Sequence, residues 1–207
     1  MKVILFQGDS ITDVGRIREE ELDMGRGYPA MVAATLGLTH PNEYRFYNRG
    51  ISGNRIVDLY ARIKADILNL KPDYMSLLIG VNDVWHEFSR KNGVDLPKFE
   101  KIYTMLLDEI YAQLPDISIV LLEPFVLKGT RTEEFYDEFR RQVEERADCV
   151  RRLAEKYNIP FIPLQEDLDA MAQTAPAEHW LRDGVHPTLY FHQHIANKWL
   201  ETFQKQK

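Results

Sequence analysis

The chain has 207 residues, 44% of them apolar and 28% charged, which suffices for one sizeable core, and a single domain over residues 1–207 is expected. Its net charge of -6, with acids and bases interspersed, excludes nucleic acid as the main partner, because phosphate binding needs a concentrated basic surface; a neutral or polar small substrate fits better. The lone cysteine, Cys149, excludes an intramolecular disulfide, calls for no oxidising compartment and is expected on or beside a helix core face.

Met1 and Lys2 lead at once into an apolar run, without the longer apolar stretch and small-residue cleavage site of a secretory signal. No run approaches a membrane span, so the expected location is the cytoplasm and no membrane partner is implied. Five short apolar segments read as buried strands, at 2–7, 44–48, 74–79, 117–122 and 159–164, and the stretches between them carry helical spacing. Across 54–70, Ile56, Leu59, Tyr60, Ile63, Ile67, Leu68 and Leu70 share one face, which predicts a single amphipathic helix ended by Pro72. Residues 88–97, with Asn92-Gly93, read as a surface loop. Residues 132–157 predict a second helix, with Asp137 placed to meet Arg141 and Asp148 to meet Arg152. A last helix is expected over 189–203. Strands alternating with helices imply a flavodoxin-like three-layer α/β/α sandwich with a five-stranded parallel sheet in the order 2-1-3-4-5.

In such sheets ligands bind beyond the carboxyl ends of the strands. Strand one ends at Gly8-Asp9-Ser10-Ile11, strand two at residues 48–54 and strand three at Gly80-Val81-Asn82-Asp83; in the expected order these three strands are neighbours. Asp183-Gly184-Val185-His186-Pro187 precedes the last helix. A serine hydroxyl is a weak nucleophile until an imidazole takes its proton and a carboxylate orients that imidazole. Ser10, His186 and Asp183 supply those three groups. The backbone N–H groups of Ser10 and Gly53 and the side-chain amide of Asn82 are candidates for the oxyanion hole.

Taken together, Gly8-Asp9-Ser10-Ile11, the Gly53 loop, Gly80-Val81-Asn82-Asp83 and Asp183-Gly184-Val185-His186-Pro187 resemble the successive motif blocks of the GDSL/SGNH hydrolases. The resemblance spans almost the whole chain and implies a metal-free, cofactor-free serine esterase or acylhydrolase on this fold. Residues 8–16, 79–85 and 123–127 are similar to the branch containing intracellular acetylxylan esterases and related carbohydrate acetylesterases. That similarity implies removal of acetyl groups from short saccharides, a substrate-flanking role for Trp85 and Trp180, and self-association into a homo-oligomer. Asp9 joins these as a substrate-binding candidate. The rival reading is a thioesterase or lysophospholipase acting on longer acyl chains, and a non-catalytic flavodoxin-like binding module is the reading from outside the enzymes.

The remaining polar residues carry weaker signals. His192 and His194 are two apart on a helix, so they point in different directions, and no cysteine or carboxylate cluster completes a metal set. Asp9 and Asp13 lack a third ligand, which favours structural hydrogen bonding. His86 and His179 lie near the motif loops, and each is weighed as a surface histidine against a pocket residue. Arg16 is weighed between substrate contact and pairing with an acid. Gly25-Arg26-Gly27-Tyr28 follows no strand and lacks the Walker lysine, so no nucleotide site is assigned there.

Overall fold

Five parallel strands form one sheet in the order β2-β1-β3-β4-β5, as the alternating pattern predicts. The computed structural model describes residues 1–205. In chain order the elements are β1 (Lys2–Gly8), α1 (Ser10–Asp13), α2 (Tyr28–Thr39), β2 (Tyr44–Asn48), α3 (Ile56–Ala61), α4 (Ile63–Asp66), β3 (Tyr74–Leu78), α5 (Val81–Arg90) and α6 (Leu96–Gln113). They continue with β4 (Ser118–Leu122), α7 (Tyr136–Tyr157), β5 (Phe161–Ile162), α8 (Gln165–Ala172), α9 (Ala177–Trp180) and α10 (Leu189–Lys205).

Side chains alternate across a strand, and both faces of β1 are covered. Ile4 and Phe6 join a cluster with Tyr28 and Val32 of α2 and Trp199 and Phe203 of α10. Leu5 joins the opposite cluster with Ile56 and Leu59 of α3 and Phe99, Tyr103 and Leu106 of α6. Phe6 lies edge-on to Tyr28 at 5.8 Å and 5.5 Å from Trp199. Truncating a fully buried ring such as Phe6 to alanine removes about 3–5 kcal/mol of stability. Cys149 is buried in α7, where desolvation pushes its thiol up to about 11. Among the described residues no helix is long and apolar enough to cross a membrane.

Several local expectations are corrected. The helix predicted over 54–70 is broken into α3, α4 and a 3-10 turn, Leu68–Leu70. Arg62, at the break, turns its guanidinium inward to the carbonyls of Arg49 (2.9 Å) and Gly8 (3.4 Å), the side chain of Asn54 (2.8 Å) and Asp66 (2.8 Å). The core face survives because Ile56, Leu59, Ile63, Ile67 and Leu68 all stay buried. Residues 88–90, expected in a loop, continue α5, and Phe88 stacks on Phe135 at 4.6 Å. β5 has two residues rather than six, because Pro160 and Pro163 lack the N–H that a longer ladder needs. The helix predicted over 132–157 begins as a 3-10 turn, Glu133–Phe135. Its expected ion pairs also differ: Arg141 meets Glu138 and Glu145 rather than Asp137, while Asp148 meets Arg151 and Arg152 reaches Glu100.

Candidate active site

Ser10 stands where β1 stops. Asp9 caps the one-turn helix α1, accepting the Ile11 N–H at 2.9 Å, and so places Ser10 in the first turn past the strand end. The neighbouring strand end is tied to this turn by Asn48, whose amide donates to the carbonyls of Thr12 (2.7 Å) and Met24 (2.9 Å). Asp13 accepts from the Ser52 backbone at 2.9 Å and from its hydroxyl at 2.8 Å, which fixes the loop after β2 against α1. Arg18 also reaches Asp13. Burial acts to raise the Asp13 carboxyl, but Arg18 and Ser52 outweigh it and hold the group below its ordinary value. Asp9 has no such partners: it is buried, its Oδ2 is unpartnered, and desolvation pushes its carboxyl up to about 7. Asp9 therefore turns into the fold as a helix cap and does not line the cleft, contrary to the expectation of substrate contact.

His186 arrives from the other end of the chain. Leu181 and Pro187 pair as an isolated antiparallel bridge that closes the loop carrying Asp183 and His186. The Asp183 Oδ1 accepts the backbone N–H groups of Val185 (3.1 Å) and His186 (2.9 Å), and its Oδ2 lies 2.7 Å from His186 Nδ1. Burial acts to raise the Asp183 carboxyl, but the hydrogen bonds from His186 and Val185 hold it well below the usual carboxylate range. An ionised carboxylate only accepts, so His186 Nδ1 carries the proton and Nε2 is left to accept. That Nε2 lies 3.0 Å from Ser10 Oγ. The loop is seated on Gly129, where a Cβ would come within 2.4 Å of the Gly184 nitrogen and 2.5 Å of the Asp183 carbonyl carbon.

Asn82 is buried in the first turn of α5 and donates from its amide to the Asn54 carbonyl at 3.2 Å. This bond fixes the amide against the turn that carries Gly53 and leaves its second N–H free of that contact. Gly53 itself has φ +83°, a backbone conformation that suits glycine, and a Cβ there would stand 4.0 Å from His86 Nε2. Asp83 faces away, accepting the Ile56 N–H that opens α3 at 3.0 Å.

Ser10, Asp183 and His186 open on a cleft of about 930 Å³. Ser52, Arg26, Arg131, Arg182, Tyr190 and His192 also line it. Arg131, Arg182 and Tyr190 carry no site signal in the sequence, Ser52 lies in the loop after the second strand, and His192 is weighed there only as a metal ligand. Arg182 adjoins Asp183, and Arg26 lies in the glycine-flanked stretch set aside as a nucleotide loop. Gly27 of that stretch caps α2. Trp85 lies 5.8 Å from the His186 ring and also packs on Phe139, with the Arg131 guanidinium over its face at 5.9 Å. Trp180 is outside the cleft lining, edge-on to His179 with its indole N–H buried. His179 in turn stacks on Tyr190 at 4.4 Å. Arg16 donates to the Gly50 carbonyl at 3.2 Å. His192 and His194 diverge as their spacing predicts. His192 Nδ1 accepts the Tyr28 N–H at 3.3 Å, whereas His194 pairs with Asp167 at 2.9 Å.

Residues 6–194 match the GDSL-like Lipase/Acylhydrolase family. An acetylxylan esterase of Geobacillus stearothermophilus is 35% identical over 211 residues, covering 95% of this chain and 91% of the relative. A solved GDSL-like structure from Parabacteroides merdae superposes with a TM-score of 0.89 at 38% identity, covering 97% of this chain and 94% of that one. Structures of catalytic mutants of the Geobacillus stearothermophilus esterase superpose with a TM-score of 0.86 at 32% identity, covering 97% and 93% of the two chains. In those mutants a serine, an aspartate and a histidine three residues beyond that aspartate are each replaced by alanine. With its fold and strand order, this chain belongs to the GDSL-like lipase/acylhydrolase family and is a carboxylic ester hydrolase.

Proposed function

We propose that the protein is a serine esterase that removes small acyl groups, chiefly acetyl, from saccharide hydroxyls through a covalent acyl-enzyme. The observation that carries this reading is the continuous chain of hydrogen bonds from Ser10 Oγ to His186 Nε2 (3.0 Å) and from His186 Nδ1 to Asp183 (2.7 Å), open to a cleft. His186 takes the Ser10 proton as Oγ attacks the ester carbonyl, then returns it to the departing saccharide oxygen. The imidazolium formed between these steps is stabilised by Asp183, which stays ionised. Water activated by His186 next attacks the acyl-enzyme, releasing acetate and restoring Ser10. The Ser10 and Gly53 N–H groups and the Asn82 amide stabilise the oxyanion in both halves.

The cleft lining supports a short acyl group and a polar alcohol. A long acyl chain leaving Ser10 would meet Arg26, Arg131 and Arg182 in this cleft as well as the apolar Val14, Pro187 and Leu189. The acetylxylan esterase relative supports acetylated saccharides as the substrate class.

The test compares initial rates on para-nitrophenyl acetate, butyrate and octanoate for wild type and Ser10→Ala, followed by acetate release from an acetylated xylo-oligosaccharide. The expected result is activity that depends on Ser10, is highest for acetate and extends to the oligosaccharide, with a loss on the order of 10⁴-fold or more in the variant. Ser10-dependent rates rising toward octanoate would replace this reading with a lipid acylhydrolase. Full activity in Ser10→Ala would remove Ser10 from the mechanism.

A further inference from the structure

The cleft does not share the charge of the chain around it. The whole protein is acidic, with a net charge of -6, yet three guanidinium groups line the cleft against one carboxylate, Asp183. That carboxylate is already engaged, by His186 at 2.7 Å and by Arg131 at 3.5 Å. Among the described residues, neither Arg26 nor Arg182 has a carboxylate within the 4.0 Å of an ion pair. Arg18, Arg49, Arg55, Arg62 and Arg140 each lie against one, and of the arginines outside an ion pair Arg26 and Arg182, unlike Arg16, Arg45 and Arg90, line the cleft. Arg26 comes from the segment just before α2 and Arg182 from the loop that carries the candidate acid and base, so two separate segments bring guanidinium groups outside any ion pair to one cleft, with only the more distant charge of Asp23 acting on Arg26.

We propose that the substrate carries a carboxylate of its own, received by Arg26 and Arg182, and that the preferred substrate is an acetylated acidic saccharide bearing a uronic acid. This deepens the serine-esterase reading above and rests on it. It also departs from the neutral substrate that the whole-chain charge suggests, because a ligand meets the local field of a cleft rather than the net charge of the molecule. The guanidinium plane offers a carboxylate two parallel N–H donors, a match that neutral xylose units lack. His192 completes the lining as a neutral group: burial, with the charges of Arg182 and His186, pushes it down to about 4. Its Nδ1 accepts from Tyr28, so the ring's N–H donor is Nε2.

Binding and turnover are measured separately, so that this proposal and the esterase reading can fail independently. In the Ser10→Ala background, which leaves substrate intact, calorimetry compares acetylated xylotriose with and without a glucuronic acid branch. The acidic saccharide is expected to bind about tenfold more tightly, with the preference shrinking as salt is raised and disappearing when Arg26→Gln and Arg182→Gln are combined. In the active enzyme, the ratio of kcat/KM for the two saccharides is expected to follow the same pattern. Circular dichroism and thermal melts of the double variant report whether the fold is kept, and each single arginine variant is measured beside it. Equal binding of the two saccharides, or a preference that persists in the folded double variant, overturns the proposal. Hydrolysis that ignores Ser10 overturns the esterase reading and leaves the binding result to decide the arginine site.

Discussion

Ser10 and His186 meet at 3.0 Å, but the two sides of the site are held by different physics. The serine side is a knot of buried polar side chains: Asp9, Thr12, Asp13 and Asn48 all lie inside, around a single helical turn at the end of β1. The histidine side is built mainly from backbone. A bridge between Leu181 and Pro187 closes the loop, the Asp183 carboxylate ties it from within, and Gly129 and Gly184 touch without room for a Cβ. Desolvated acids make the first side sensitive to protons, whereas close backbone contact makes the second sensitive to volume. The one Ser10–His186 distance thus depends on two independent kinds of support.

Three measurements break or sharpen that contrast. On the serine side, Asn82→Ala removes an amide whose orientation the Asn54 carbonyl sets, and kcat is expected to fall by roughly a hundredfold to a thousandfold with little change in KM. A change confined to KM would place Asn82 in ground-state binding. On the histidine side, Gly129→Ala forces the Asp183–Gly184 backbone aside, since its Cβ would stand 2.4 Å from the Gly184 nitrogen. A displacement of about 1 Å at the base costs on the order of a hundredfold in kcat, and overpacking costs about 1–3 kcal/mol in stability. Wild-type kcat in Gly129→Ala would show that the loop is free to give.

The smallest effect is in the pH dependence of stability, read from urea unfolding between about pH 4 and 7.5. The carboxyl of Asp9 is raised from 3.8 to about 7, so the native state holds its proton longer than the unfolded chain, and Asp9 lowers stability as pH rises through that window. The imidazole of His192 is lowered from 6.5 to about 4, so the unfolded chain holds the proton longer, and His192 lowers stability as pH falls through its window. Asp9→Asn should therefore gain on wild type as pH rises, and His192→Gln should gain as pH falls. Each difference changes by at most about 1.4 kcal/mol per pH unit. Parallel shifts of both variants would contradict the opposed environments assigned to these two groups.

Much of this layout was legible in the sequence because its signals are local. Apolar runs that stop at Gly8, Asn48 and Gly80 locate the strand ends to within about two residues, and the three-residue spacing of Asp183 and His186 is the spacing that lets one turn join their side chains. What escaped depends on partners far away in sequence. Nothing around Arg62 announces that its guanidinium will reach the carbonyls of Gly8 and Arg49 and interrupt a helix. Neighbouring positions also misled: Asp9 adjoins the candidate nucleophile, yet a helix cap turns its side chain inward. Arg26, seen in the sequence only within a discounted nucleotide loop, and Arg182, which carries no signal there, come together only when the fold brings their segments to one cleft. The short β5 was foreshadowed by Pro160 and Pro163, whose missing N–H groups outweigh the apolar pattern around them.

The helix that follows His186 packs Trp199 and Phe203 against the sheet face that holds Phe6, on the strand leading to Ser10. The hydroxyl and the imidazole that meet here are 176 positions apart, so a ribosome delivers the first well before the second. Until α10 has emerged and docked, a growing chain holds Ser10 without its imidazole partner, and the 3.0 Å contact forms only when the two distant stretches close on one another. Formation of that contact is thus a clock for the final docking step of folding.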